Sequence, residues 1–208
     1  MKRLLKVGLT GGIATGKSVT LDQWRRAGAM GIDADELAHQ ALVPETPTWE
    51  QVVHKFGKKI LKKDRTVDRR KLGDIVFADK KKREALNAII HPAVAKMWTS
   101  EVRKLERQGD ASAVVVAIPL LYEVGAEPHF DCVVVVGCSE KAQLARLQRK
   151  GLSKVRARVR IDAQWPLPTK MDRADFVIWN DGTLEVLHQQ AEIVWATIKE
   201  SYHAPSKS

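Results

Sequence analysis

Short apolar runs alternate with longer polar stretches along most of the chain. The clearest apolar runs are residues 4–9, 113–118, 132–136 and 176–179, with a weaker one at 29–32. Such runs are typical of parallel strands that are covered on both faces. One intervening stretch places its apolar residues on a single helix face: Leu184, Leu187, Ala191, Val194 and Ile198. The alternation predicts an α/β fold with a doubly wound, parallel, five-stranded sheet.

Two polar stretches interrupt this alternation. Residues 36–108 are highly charged and mostly helical in pattern, which predicts a helical insertion beside the sheet. Residues 146–169 are rich in Lys and Arg and end in Trp165-Pro166-Leu167-Pro168, which should stop a helix. We interpret this second stretch as a mobile helical lid. The chain is therefore expected to form a single domain, residues 1–208, whose core consists of residues 1–35, 109–145 and 170–202.

The charge of the chain restricts its partners. A net charge of +10 in 208 residues favours an anionic partner, which leaves nucleic acid, acidic lipid and phosphorylated small molecules open. Basic residues cluster in three places, and for the first two a solvated surface is the favoured interpretation. The clusters are residues 58–71, 80–83 and 146–160.

The cysteines and the hydropathy favour a reducing cytoplasm. Cys132 and Cys138 lie at the two ends of a predicted strand, which would hold them roughly 20 Å apart at about 3.3 Å per residue. A disulfide between them is therefore not expected. The sequence has no export signal and no run that approaches the roughly 20 apolar residues of a membrane span, so we expect a soluble cytoplasmic protein without a membrane partner.

One glycine-rich segment indicates a specific chemistry. Residues Gly11-Gly12-Ile13-Ala14-Thr15-Gly16-Lys17-Ser18 follow a predicted strand and match a phosphate-binding loop (P-loop). In such a loop the backbone N–H groups and the next helix's N-terminus bind phosphates, with Lys17 on the β- and γ-phosphates and Ser18 on Mg²⁺. The alternative, a turn that binds nothing, has no need for Lys and Ser at this offset. We therefore expect ATP and Mg²⁺ at this loop.

The rest of the sequence favours a small-molecule kinase over other nucleotide-binding proteins. The run 113–118 ends without the carboxylate by which motor ATPases hold their metal ion. Asp33 instead follows the second predicted strand, where the carboxyl ends of parallel strands border a ligand crevice, and could act as a base. With Glu36 it could equally form a helix N-cap and capping box. The two interpretations are compatible.

Several separate segments resemble the dephospho-CoA kinase family. The similarity includes Val7-Gly8-Leu9-Thr10-Gly11-Gly12-Ile13 with Gly-Lys-Ser, then Ile32-Asp33-Ala34-Asp35, and it covers nearly the whole chain. The later matching segments are Val67-Asp68-Arg69-Arg70-Lys71-Leu72-Gly73, Ile90-His91-Pro92, Pro119-Leu120-Leu121-Tyr122-Glu123, Arg160-Ile161 with Gln164, and Ala174-Asp175-Phe176-Val177-Ile178 with Asn180.

This resemblance implies transfer of the γ-phosphoryl group of ATP to the ribose 3′-hydroxyl of dephospho-CoA, the last step of coenzyme A synthesis. It implies Asp33 as the base, with Lys17 and Arg149 also catalytic. It extends the nucleotide site to Val19 and to the lid arginines Arg146, Arg149 and Arg160. Besides Asp33, the acceptor site would consist of Asp68, Arg69, Lys71, His91, Pro119 and Leu120.

Alternatives stay open for these residues. The arginines could be solvated lid charges, and Asp68, Arg69 and Lys71 could be surface charges. His91 has no His or Cys at metal-ligand spacing, and its pair with Pro92 is expected to shape a helix start.

The sequence departs from the family pattern at Ala14-Thr15, often Gly-Ser; at Val19, often Thr; and at Ala117, sometimes acidic. A second protein carboxylate for Mg²⁺ is consequently in doubt, which leaves Ser18, ATP oxygens and water.

Two rival functions remain at this stage. One is another small-molecule kinase, of the nucleoside-monophosphate or shikimate type, which would share the P-loop and the lid. The other is a nucleic-acid-binding protein. Against it, no RNP-type strand or basic helix-turn-helix is present, and the tryptophans are scattered as core residues usually are: Trp24, Trp49, Trp98, Trp165, Trp179 and Trp195. We therefore expect no nucleic-acid partner, and the sequence carries no signal for an oligomeric state.

Overall fold

A single parallel sheet forms the centre of the computed structural model, which describes residues 3–203. Within that range the sheet has five strands in the order β2-β3-β1-β4-β5. The strands are β1 (Leu5–Gly11), β2 (Met30–Asp33), β3 (Ala113–Ala117), β4 (Cys132–Gly137) and β5 (Phe176–Trp179). All four pairings are parallel, so the predicted α/β fold with a five-stranded parallel sheet is confirmed.

Helices follow most of the strands, as a doubly wound fold requires. The first helix begins at Lys17, directly after the glycine-rich segment. The helices are α1 (Lys17–Arg26), α2 (Ala34–Ala41), α3 (Pro47–Phe56), α4 (Arg69–Ala78), α5 (Lys80–Gln108), α6 (Glu140–Arg149), α7 (Lys154–Ile161), α8 (Leu167–Asp172) and α9 (Leu184–His203). Short 3₁₀ turns lie at Lys58–Ile60 and Glu127–His129.

The chain divides into two compact units. The first consists of residues 1–33 and 104–208, of which the described part contains the sheet, and the second of Ala34–Arg103. The second unit has its own apolar core, supplied by α3, the 3₁₀ turn, the segment before α4, and α4. Its buried members are Trp49, Val52, Phe56, Ile60, Val67, Leu72 and Val76.

One apolar core cluster of the first unit lies on the face of the sheet that packs against α1 and α9. Trp24 of α1 stacks on Trp195 of α9 with ring centroids 5.1 Å apart, and its indole N–H donates a 2.8 Å hydrogen bond to the Ala191 carbonyl. Burial of alternate strand residues such as Val7, Leu9, Val134 and Val136 gives this face its apolar character. The expected apolar face of α9 is present except at Leu184, which is 58% exposed because it occupies the first helical position.

Two tryptophans contradict the expectation that all six are core residues. Trp165 and Trp179 are 37% and 41% exposed, whereas Trp24, Trp49, Trp98 and Trp195 are buried. Trp179 ends the edge strand β5, which has a neighbour on one side only, and Trp165 lies in the connection between α7 and α8. Both rings line one surface cleft.

The expectation that His91 and Pro92 shape a helix start is wrong. Pro92 lies inside α5, which continues from Lys80 to Gln108. Proline removes one backbone hydrogen bond, but a helix of 29 residues retains enough others to continue through it. Trp165-Pro166-Leu167-Pro168 is expected to stop a helix. No helix continues through Trp165 and Pro166, since α7 has already ended at Ile161. A new helix, α8, begins at Leu167 with proline in its first turn.

Both cysteines are buried free thiols, in agreement with the expected lack of a disulfide between them. Within residues 3–203, no helix is both long enough and apolar enough to cross a bilayer.

Candidate functional site

The glycine-rich segment forms the connection between β1 and α1. Gly11 has φ +146°, and a Cβ there would lie 2.1 Å from the Val136 carbonyl oxygen of the neighbouring strand. Gly16 has φ +116°, and a Cβ there would lie 2.5 Å from Asn180 Nδ2. Because only glycine tolerates both the backbone conformation and the close packing, these two residues determine the shape of the loop.

Buried polar side chains from distant segments hold this loop from beneath. Gln143 of α6 donates a 2.9 Å hydrogen bond to the Ile13 carbonyl, and Asn180, after β5, donates a 2.7 Å bond to the Thr15 carbonyl. The Thr15 hydroxyl is buried and donates a 2.9 Å bond to the Gly12 carbonyl. With these carbonyls engaged from beneath, the loop's conformation is fixed before any phosphate binds.

Arg146 also holds the loop in place through its backbone carbonyls. Its Nη1 donates hydrogen bonds to the carbonyls of Ala14 and Thr15, at 3.2 and 3.4 Å, and its Nη2 donates a 2.7 Å bond to the Asn180 carbonyl. Arg146 thus stiffens the loop in this structure, and its positive charge lies directly beside the segment predicted to bind phosphate.

Lys17 and Ser18, at the end of the loop, differ in exposure. Lys17 is half-buried and its Nζ donates a 3.1 Å hydrogen bond to the Gly12 carbonyl, so the ammonium lies over the loop. Ser18 is exposed at the second position of α1. Val19 packs against the core cluster of the first unit.

Among the described residues no group of three or more His, Cys, Asp or Glu side chains could hold a metal ion. The Ser18 hydroxyl could supply one oxygen ligand to a Mg²⁺ ion, beside phosphate and water oxygens.

Asp33 is the last residue of β2, and α2 begins at Ala34. In the sheet register Asp33 pairs with Ala117 of β3, and Ala117 pairs with Leu9 of β1. Asp33 therefore lies at the carboxyl edge of the sheet, two strands and about 10 Å from the strand that leads into the loop. Its side chain is partly exposed, as a group that meets a ligand must be.

The connection after β3 contains Pro119 and Leu120, both half-buried. The Pro119 carbonyl accepts a 2.9 Å hydrogen bond from Lys170 Nζ of α8 and a 3.3 Å bond from the Thr10 hydroxyl. Burial lowers the pKa of Lys170, while hydrogen bonding and charge from Glu123 oppose that shift. Thr10 directly precedes Gly11, so these bonds attach the β3 connection to the entry of the loop.

The predicted lid contains the last turn of α6, all of α7 and the connection to α8. Arg149 is exposed at the end of α6, and Arg160 of α7 is half-buried. In the connection, the Gln164 side-chain oxygen accepts a 2.7 Å hydrogen bond from the Ile13 backbone N–H. A cleft of about 590 Å³ lies beside this contact. Its lining includes Gly12, Gln143, Gln164, Trp165, Met171 and Trp179.

The remaining predicted site residues lie in the second unit. The Asp68 carboxylate caps α4 by accepting 3.1 Å hydrogen bonds from the backbone N–H groups of Arg70 and Lys71. The bond from Lys71 is the main cause of the lowered pKa of Asp68. Arg69 contacts His39, and Lys71 Nζ lies 3.7 Å from the Asp68 carboxylate. His91 lies half-buried within α5.

The family model for dephospho-CoA kinase matches residues 5–185. The chain belongs to the dephospho-CoA kinase family. A dephospho-CoA kinase from Geobacillus kaustophilus is 46% identical over 187 residues, which cover 89% of this chain and 92% of that protein. The dephospho-CoA kinase from Streptomyces avermitilis is 44% identical over 207 residues, which cover 99% of both. The resemblance found in the sequence is therefore confirmed, and the chain is a kinase.

Solved structures agree with membership of the dephospho-CoA kinase family. The dephospho-CoA kinase from Campylobacter jejuni has a TM-score of 0.67 at 30% identity, covering 94% of this chain and 98% of that one. A shikimate kinase from Acinetobacter baumannii has a TM-score of 0.60 at 13% identity, a likeness of fold alone, with 96% of each chain covered. Among the rivals, a shikimate-type kinase thus shares the architecture but not the family.

The sequence did not indicate a role for two of the residues that support the loop, Gln143 and Asn180. Gln143 and Asn180 are polar yet only 4% and 6% exposed. One sequence signal could have shown that Gln143 is buried. Gln143 lies four residues before Leu147, and residues at this spacing share one face of α6, which is buried. Gln164 and Asn180 belonged to matching segments, but nothing in the sequence indicated what they contact.

Proposed function

We propose that this chain transfers the γ-phosphoryl group of ATP to the ribose 3′-hydroxyl of dephospho-CoA, giving coenzyme A and ADP. Family membership supports the choice of substrates. The observation that carries the chemistry is the register of the sheet, which sets Asp33 at the same carboxyl edge as the phosphate loop. A base about 10 Å, or two strand spacings, from the strand that leads into the loop leaves room for the terminal phosphate and the acceptor hydroxyl.

The loop is proposed to hold the triphosphate through residues Gly11 to Val19. Its backbone N–H groups and the N-terminus of α1 offer positive charge, and Lys17 adds a full charge over the β- and γ-phosphates. Gln143, Arg146 and Asn180 hold the loop in shape, so little reorganisation is needed when charge develops on the transferred group. Mg²⁺ would be bound by Ser18 and phosphate oxygens, and would neutralise charge on the phosphates.

Asp33 is proposed to accept the proton of the 3′-hydroxyl as the phosphoryl group arrives. A carboxylate in this role either removes the proton or orients the hydroxyl for attack, because phosphoryl transfer needs positioning more than early deprotonation. Its position at a strand end fixes its backbone, which limits the directions from which the acceptor can approach.

The lid arginines are proposed to bind the phosphates from the side opposite the phosphate loop. Arg149 and Arg160 belong to different helices of the lid, so closure would bring both charges to ATP. Arg146 already bonds to the loop's carbonyls, and its charge would act on the phosphates from that fixed position. Catalysis would then rest on Asp33, Lys17 and Arg149.

Pro119 and Leu120, in the connection after β3, are proposed to bind the acceptor. Pro119 and Leu120 lie at the same edge of the sheet as Asp33. Arg69, Lys71 and His91 are proposed to bind the acceptor. Asp68 would act mainly by capping α4, which sets the backbone of Arg69 and Lys71. The proposed setting is the cytoplasm, where the buried free thiols would stay reduced.

An ADP-release assay tests this proposal. Purified protein with ATP and Mg²⁺ should release ADP on addition of dephospho-CoA, and coenzyme A should appear in equal amount by chromatography. AMP and shikimate serve as control acceptors, since they test the rival small-molecule kinases. Turnover with either control, and none with dephospho-CoA, would overturn the assignment.

A further inference from the structure

A buried ion pair joins α8 to the connection after β3. The side chain of Lys170 is fully buried, and its Nζ lies 2.7 Å from Glu123 Oε1, on a side chain that is 14% exposed. Replacement of buried ion pairs by apolar residues of similar volume is often neutral or stabilising, so such pairs are weak evidence for stability. The pair therefore points to a role in placing the groups to which it bonds.

Those groups belong to the exit of the lid and to the edge of the sheet. Glu123 Oε1 also accepts a 2.8 Å hydrogen bond from the Trp165 backbone N–H, in the connection between α7 and α8. Lys170 Nζ also donates to the Pro119 carbonyl, which accepts from the Thr10 hydroxyl as well. The pair thus connects the lid exit to the last residue before Gly11.

A second bond fixes the same part of the lid. Gln164 directly precedes Trp165 and accepts its 2.7 Å hydrogen bond from the Ile13 N–H of the loop. Two adjacent residues of the lid exit are therefore bonded, one to the phosphate loop and one to the buried pair. The residues between α6 and α7 are mostly exposed by comparison. The lid exit is therefore held to the phosphate loop and to the buried pair, as the start of the lid is held to the loop at Arg146.

We propose that Glu123 and Lys170 are positioning residues that fix the lid exit at Trp165 and the Pro119 backbone relative to the phosphate loop. The lid then closes about a constant pivot, and its arginines reach the phosphates in one geometry. This inference rests on the proposed phosphoryl transfer, since it concerns how the lid serves that reaction. Misplacement of such groups by about 1 Å lowers a rate on the order of 10²-fold.

The test replaces the pair by apolar side chains of similar size, Glu123→Leu with Lys170→Met. The double variant is expected to fold, with kcat for coenzyme A formation lowered on the order of 10²-fold and the KM values changed much less. A kcat equal to that of the wild type would overturn the inference. An equal loss of kcat in a control double variant, Lys6→Met with Glu106→Leu, would also overturn the inference. That control removes a Lys–Glu pair of 3.2 Å near the amino end of β1.

Amide hydrogen exchange of the wild-type protein gives a second measurement that needs no variant. The Trp165 N–H should be protected both with and without ATP and Mg²⁺, whereas the amides of Lys154 and Val155, in the exposed first turn of α7, should gain protection only with ATP. Exchange of the Trp165 N–H as fast as theirs in the free enzyme would overturn the inference, even if the double variant failed to fold. Failure of the proposed function would appear separately, as wild-type protein that makes no coenzyme A.

Discussion

The side-chain amide of Asn180 donates a 2.7 Å hydrogen bond to the Thr15 carbonyl, and so attaches the end of β5 to the phosphate loop. The neighbouring Gly16 is what allows this contact. A Cβ on Gly16 would lie 2.5 Å from Asn180 Nδ2 and 3.3 Å from Leu187 Cδ2. The shape of the loop therefore depends on a residue 165 positions later in the chain.

Gly16→Ala should lower both stability and nucleotide affinity. The positive φ of Gly16 costs alanine about 1–2 kcal/mol, and displacement of Asn180 removes a hydrogen bond that contributes about 1 kcal/mol more. Gly28→Ala is the matched control, since Gly28 also has a positive φ, of +92°, but open space around its Cβ position. Chemical denaturation and ATP titration calorimetry would check this. Equal loss of ATP affinity in both variants would contradict the role of Asn180.

The strands and the loop could be predicted because their signals are local. Apolar runs mark buried parallel strands, and Gly, Lys and Ser at fixed spacing mark a phosphate loop. The supporting contacts could not be predicted, because Gln143 and Asn180 reach Ile13 and Thr15 across more than a hundred residues. Nor does local sequence show that Trp165 and Trp179 line a cleft, since burial depends on which elements become neighbours.

The two free thiols should make stability sensitive to alkaline pH. Burial raises the pKa of Cys132 to about 12 and that of Cys138 to about 11, from an ordinary 9.0. The unfolded chain then loses these protons at lower pH than the folded one. The thiols therefore leave stability unchanged well below pH 9, and lower it progressively as pH rises from about 9 to about 12.

Urea unfolding at pH 8 and pH 10, with a reductant, would measure this effect. At pH 10 each thiol should lower the free energy of unfolding by about 1 kcal/mol relative to pH 8. The variant Cys132→Ala with Cys138→Ala should lose correspondingly less between the two pH values. The same loss in wild type and variant would show that the thiols do not cause it.

Lys17→Ala should nearly abolish turnover while the protein stays folded. Lys17 is half-buried and its Nζ donates a hydrogen bond to the Gly12 carbonyl of the loop, so its loss removes charge at the phosphates rather than core packing. Loss of one preorganised group of this kind lowers kcat on the order of 10²- to 10³-fold. Steady-state kinetics with a melting curve would check it. Lys141→Ala, at an exposed lysine of α6, is the control and should keep wild-type kcat. Full activity in a folded Lys17→Ala protein would remove the assignment of the loop.

Asp33 gives the sharpest test of the proposed mechanism, because its two roles separate on substitution. Asn caps helices about as well as Asp and has nearly the same shape, but it cannot accept a proton. If Asp33 is the base, Asp33→Asn should lower kcat on the order of 10²- to 10⁴-fold with little change in melting temperature. If Asp33 only caps α2, Asp33→Asn should keep kcat, and Asp33→Ala should lower stability by about 1 kcal/mol.

A smaller fall in kcat would indicate a third role, in which Asp33 orients the acceptor hydroxyl. Loose phosphoryl-transfer transition states need little proton removal early on, and an Asn side chain can still accept a hydrogen bond from the hydroxyl. Orientation is lost in Asp33→Ala but partly kept in Asp33→Asn, so kcat should fall in the order wild type, Asn, Ala. A base gives a different order, with Asn and Ala about equally impaired. Measuring kcat and melting temperature for both variants therefore distinguishes base, orienting group and cap, and unchanged turnover in Asp33→Asn would overturn the catalytic assignment.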